Sequence, residues 1–251
     1  MRKALVIITG VSLALAFVAA PTGAQAAGCT PTTFERDNMF LTAAQVGGDV
    51  SGDLDATGCD MGVYYAPGST GNVTAATIHG ARYFGVVADG AAVDVTGSDV
   101  HDIGDDPFDG SQHGVGIYFV TFVPTLGPTI GASGDISGNS VSAYQKGGIV
   151  VNGDGTTATV TGNTVTGLGQ VDFIAQNGIQ VSRGAVATVR GNDISANFYT
   201  GHVGVGPNPG GQNPPGWEYY STGLLLFQAD KATSTSQNHF SGNQHNFANI
   251  P

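Results

Sequence analysis

Apolar residues return along this chain in a short, fixed pattern. One hexapeptide recurs as apolar, any, small, Asn-like, any, apolar: Ile136-Ser-Gly-Asn-Ser-Val141, Val160-Thr-Gly-Asn-Thr-Val165 and Val189-Arg-Gly-Asn-Asp-Ile194. Val73–Ile78, Val95–Val100 and Thr235–Phe240 are looser copies. Glycine followed by apolar residues comes after the first five copies, as Gly85-Val-Val87, Gly116-Ile-Tyr-Phe119, Gly148-Ile-Val-Val151, Gly178-Ile-Gln-Val181 and Gly223-Leu-Leu-Leu226. Gly62-Val-Tyr-Tyr65 is the same element ahead of the first hexapeptide. Each element is strand-length and carries two or three aliphatic positions, too few to bury a core alone. Self-similar units of this kind bury their apolar faces by stacking on their neighbours.

The pattern predicts an all-β chain: a single-stranded, right-handed parallel β-helix of about seven coils over residues 46–251, preceded by a cap segment over 27–45. Stacked at ~4.8 Å, each coil pairs its backbone with the next. Asn139, Asn163, Asn192 and Asn238 then fall one above another and form an amide ladder at a bend, a structural role. The small residue before each Asn, usually Gly, suits the positive φ that a bend demands. A β-sandwich is the competing fold, but it does not require an Asn at one fixed place in every repeat. Composition agrees, with 40 glycines in 251 residues and few charges.

With these elements on the page, the chain resembles the right-handed parallel β-helix proteins of the pectin-lyase-like superfamily over roughly residues 46–250. Asp55-Ala-Thr-Gly-Cys-Asp60, Tyr144 to Asp154 and Asp172 to Gly178 look like secreted bacterial members. The resemblance implies lyases, hydrolases or epimerases acting on uronate polymers. The repeat is specific for fold and says little about activity, because one fold hosts many functions.

The first residues predict an export signal. Arg2 and Lys3 precede an apolar run to Ala20, and Ala24-Gln-Ala26 offers a cleavage site, so residues 1–26 are read as a signal peptide and the protein as secreted. A lipoprotein anchored at Cys29 is the alternative. In an oxidising compartment Cys29 and Cys59 are expected to pair, closing a loop worth about 3–4 kcal/mol; two buried thiols are the other reading. Beyond residue 26, six basic residues face nineteen acidic ones, a net charge of −13. That excludes nucleic acid and anionic membranes as partners. No second apolar run supports a membrane span, and a monomer is expected.

The variable connectors after the hexapeptides hold the candidate chemistry. Arg82, His113, Lys146 and Gln176 precede the second-element glycine in four consecutive coils and are expected to form one column. His79 and His101 should also be adjacent. The segment His101–His113 offers Asp102, Asp105, Asp106 and Asp109. As a lyase, Ca²⁺ on Asp102, Asp105 and Asp109 would neutralise a uronate while Lys146 or Arg82 takes a proton, with His113 and Asp106 beside them. As a hydrolase, two aspartates would act as acid and base. As a solvated loop, the cations simply pair with these carboxylates. Gln176, Tyr144, Trp217 and Tyr219 are the expected sugar contacts; for Trp217 the preferred alternative is an anchor that packs the long Pro- and Gly-rich segment before it against the coil below. Two functions follow: binding or processing of an extracellular polysaccharide, or a non-catalytic surface or matrix rod. Ice binding is a remote third.

Overall fold

The computed structural model describes residues 28–201 and 220–251. The expected signal peptide, Trp217 and Tyr219 lie outside the described residues. The described chain is all-β, with two sheets and no helix. The nine-stranded sheet contains Thr30–Arg36, Met39–Val46, Met61–Tyr65, Phe84–Asp89, Val115–Val120, Gly147–Asn152, Asn177–Ser182, Thr222–Phe227 and His245–Ile250, in that order. Its first pair is antiparallel and every later pair parallel. The other sheet holds twelve strands drawn from the intervening segments. Its long strand Thr70–His79 joins two ladders, pairing Ala92–Thr96 through its first half and Asp99–His101 through its second. Neither sheet closes on itself.

The hexapeptides stack in the register that their sequences suggest. Val73, Val95, Ile136, Val160 and Val189 are successive partners, ending on Thr235. Ile78, Val100, Val141, Val165, Ile194 and Phe240 form the second row. Both aliphatic rows point into one buried cluster with Val63, Val86, Ile117, Ile149, Ile179 and Leu224 from the nine-stranded sheet. Between the two rows the chain bends at a left-handed residue in every copy: Gly97, Gly138, Gly162 and Gly191, with Ala75 and Gln237 taking the same conformation. The glycine of the second element answers a different need. A Cβ on Gly85, Gly116, Gly148 or Gly178 would sit 2.5–2.8 Å from the next strand's glycine carbonyl, and 2.4–2.6 Å from an aliphatic side chain of the hexapeptide row. Close approach of the two sheets therefore selects glycine there.

The amide ladder is present. Asn163 accepts from the Asn139 backbone N–H at 3.0 Å and from its Nδ2 at 2.9 Å, and donates to Asn192 Oδ1 at 2.9 Å and to the Ile136 carbonyl at 2.9 Å. Asn192 repeats the arrangement onto Asn238. Ser98 stands in the Asn place one repeat earlier, where its N–H donates to Asn139 Oδ1. A second, shorter ladder pairs Asn197 with Asn243. Cys29 and Cys59 form the expected disulfide. It ties down the strand Thr30–Arg36, whose Phe34 packs on Tyr64 and Phe84 with ring centroids 5.8 and 5.7 Å apart.

Candidate functional site

The expected column of Arg82, His113, Lys146 and Gln176 does not form. Backbone pairing places Tyr83, Gly114, Lys146, Gln176 and Ser221 in one row. Arg82 and His113 lie one residue earlier, level with Gln145. In an extended chain a shift of one residue turns a side chain to the opposite face. Arg82 and His113 stand three residues before the second-element glycine and Lys146 and Gln176 two, so the uniform register of those glycines splits the column.

Arg82 and His113 instead converge on one carboxylate. Arg82 Nε donates to Asp105 Oδ1 at 2.8 Å, and His113 Nε2 lies 2.7 Å from Asp105 Oδ2. His113 is buried, with its ring stacked on Tyr83 at 4.1 Å, while Arg82 is exposed. The Asp105 carboxyl is held below its ordinary value: burial pushes it up, but hydrogen bonds and charge from Arg82 and His113 outweigh burial. The buried Gln145 fixes the rest of this loop. Its Oε1 accepts from the Asp105 and Asp109 N–H groups and its Nε2 donates to the Ser111 carbonyl. This cluster is a loop clamp whose charges already satisfy one another.

The Ca²⁺ set is likewise not assembled. Asp102 stands at a left-handed bend and pairs with His101 at 2.7 Å, Asp105 is held by Arg82 and His113, and Asp109 accepts from the Ser111 N–H. Among the described residues no group of three or more His, Cys, Asp or Glu side chains is arranged to hold a metal ion. Asp106 is exposed on a cleft of about 480 Å³ shared with Thr57, His79, Asp102, Asp105 and Phe108. His79 and His101 stack as expected, 5.3 Å apart. Two expected sugar contacts are corrected by burial. Tyr144 is fully buried and its hydroxyl donates to Asn197 at 2.6 Å. Gln176 is fully buried and donates to the Tyr144 carbonyl at 2.6 Å.

A different surface gathers three cations, of which Arg36 also lies 3.7 Å from Asp37 and donates to the Gln112 carbonyl. On the outer side of the nine-stranded sheet, Tyr64, Val87, Tyr118, Val150, Gln180, Leu225 and Ala248 are successive partners. Phe34 covers the first of these. Beyond it two adjoining cavities run across the strands, of about 460 and 420 Å³, sharing Lys146, Asn177, Leu225 and Phe227. The first is walled by Arg36, Lys146 and Arg183 with no carboxylate among its lining residues. Its floor carries a polar chain: Asn177 to Gln180 at 3.1 Å, Gln180 to Ser182 at 3.1 Å, Ser182 to Asn152 at 2.9 Å and Asn152 to the Tyr118 hydroxyl at 3.4 Å. Burial raises the Tyr118 hydroxyl, the charges of Arg36 and Arg183 oppose that rise, and the charge of Asp89 adds to it. Lys146 Nζ donates to the Ala175 carbonyl at 2.7 Å, and burial pulls its pKa down to about 8.

Of the expected residues that are described, only Lys146 belongs to this groove. Arg36, Tyr118, Asn152, Asn177, Gln180 and Arg183 were not singled out by the sequence. Tyr118 and Gln180 occupy the variable position of the Gly-apolar-x-apolar element, and that alternation was the available signal for an outward face. Compared with known proteins, the chain matches no family model, no curated protein and no solved structure.

Proposed function

We propose that the two parallel sheets are faces of a secreted right-handed parallel β-helix, and that the protein binds and cleaves an acidic extracellular polysaccharide of the uronate type along this groove. One observation carries the reading. Three of the six basic residues beyond the expected signal peptide wall one carboxylate-free groove, on a chain whose remaining charge is strongly acidic. A chain of net charge −13 repels polyanions everywhere else, so the groove is where a polyanion would be tolerated. Its volume and mixed lining, with cations at the wall and Tyr118, Val150 and Leu225 on the floor, suit sugar rings bearing carboxylates.

The chemistry follows from Lys146. In a β-elimination an arginine, Arg36 or Arg183, pairs with the uronate carboxylate and acidifies C5. The neutral Lys146 amine takes the C5 proton, the C–H electrons form the C4–C5 double bond, the C4–O4 bond breaks, and water protonates the departing oxygen. A lysine near pKa 8 has an appreciable neutral fraction at neutral pH, which an ordinary lysine lacks.

The test pairs binding with product formation on polygalacturonate, alginate and neutral dextran. Arg183→Glu and Arg36→Glu should each weaken polyuronate binding at least tenfold, about 1.4 kcal/mol, and leave dextran unchanged. Unsaturated-product absorbance should rise with pH through about 8 and vanish in Lys146→Met, whose binding persists. Equal affinity for dextran and polyuronate would overturn the reading. Tight polyuronate binding without any unsaturated product would leave a non-catalytic binding rod.

A further inference from the structure

The two ends of the sheets are built differently. At one end the edge strand Thr30–Arg36 carries Pro31, Glu35 and Arg36, pairs irregularly with its neighbour and is tied down by Cys29–Cys59. Proline, charge and bulges are the usual protections of an exposed edge. At the other end three strands finish the sheets together: His245–Ile250, Ser234–Ser236 and His239–Ser241. These have none of those protections. Residues 232–250 contain no Asp, Glu, Lys, Arg or Pro. Phe247 and Ile250 are each 47 % exposed, and the end of the core opens between Leu224, Phe240 and Phe247 as a cavity of about 200 Å³.

We propose that this end docks against the same end of a second copy of the chain, giving a two-fold dimer through antiparallel pairing of the terminal strands. Charge selects the occupant. Two copies of this acidic chain repel through most of their surface, and the edge of residues 232–250 is one place where they can meet without like charges in contact, and it is the one that also presents open strand edges. The protected opposite end stops head-to-tail growth, so association closes at two. At ~3.3 Å per residue the three edges run about 40 Å, and a strip about 10 Å wide would bury on the order of 400 Å² per copy. That is small for a specific interface, so the dimer is weak and its population depends on concentration. The monomer expected from the sequence gives way to this assembly. A two-fold axis normal to the nine-stranded sheet also keeps both outer faces on one side. His245, Ala248 and Ile250 line the groove's far end, so the grooves of the two copies would join into one of double length. Only this consequence rests on the polysaccharide reading; the assembly itself does not.

The test is sedimentation of the purified protein from about 1 to 200 μM at pH 8. The mass should rise to twice that of a single chain. Asn246→Asp with Asn249→Asp, both exposed on the terminal strand, should weaken the dimer at least tenfold at low salt, while Thr74→Asp, exposed on the other sheet five strands from its Ser234–Ser236 edge, should not. Exchange of the amides of residues 245–250 should slow as concentration rises, a readout that needs no variant. A single-chain mass throughout, a dimer indifferent to the edge charges, or growth beyond two copies would each overturn the inference.

Discussion

Asn163→Ala tests whether the amide ladder is a structural spine. The Asn163 side chain is buried and takes part in four hydrogen bonds: two accepted from Asn139, one donated to the Ile136 carbonyl and one to Asn192. At ~1 kcal/mol net for each bond the loss is about 4 kcal/mol, and it grows where the Asn139 backbone N–H stays buried without its partner. A domain of this size is stable by only ~5–15 kcal/mol, so the variant should melt about 10 °C or more below the parent. Asn238 gives an internal control. It makes three such bonds at the terminal, half-buried end of the same ladder, and its alanine variant should cost about 1–2 kcal/mol. Urea unfolding followed by circular dichroism measures both, with coincident tyrosine fluorescence confirming a single transition. A cost below about 1 kcal/mol for Asn163→Ala, or equal costs for the two variants, would refute the reasoning. Water or a local slip of the bend would then be replacing the ladder.

Two further outcomes concern the N-terminal end of the nine-stranded sheet. Asp89 is buried, accepts a hydrogen bond from the Tyr64 hydroxyl at 3.2 Å, and has its pKa raised by burial to about 6. An acid whose folded pKa lies above its unfolded value of 3.8 contributes stability that is fully present below about pH 4 and is lost as pH rises through about 6. Asp89→Asn should therefore flatten the fall in melting temperature between pH 4 and 6, and an unchanged pH profile would refute the assignment. Replacing Cys29 and Cys59 with serine should lower stability by about 3–4 kcal/mol and raise amide exchange selectively over Thr30–Arg36; exchange spread evenly along the chain would show that the bridge does not secure that strand.

The sequence by itself determined the strands, the register and the bend. A hexapeptide that repeats with an Asn at one place leaves a single alignment that stacks like on like. Val73 through Val189 and Asn139 through Asn238 obey it because side-chain alternation and ladder bonding are local rules repeated at every step. It also determined the disulfide, since only two cysteines exist to pair. The tertiary structure alone decided which polar residues face each other across connectors of unequal length. The repeat register itself puts Lys146 level with Gly114 and Tyr83, but the convergence of Arg82 and His113 on Asp105 depends on how the 101–113 connector closes, which no repeat encodes. Burial was equally out of reach. Tyr144 and Gln176 read as surface groups in a polar stretch, yet they turn inward to satisfy carbonyls and amides that the bends leave unpaired. The groove itself joins Arg36 of the N-terminal strand to Lys146 and Arg183 far along the chain, and only folding the first strand over the sheet brings those three charges to one wall.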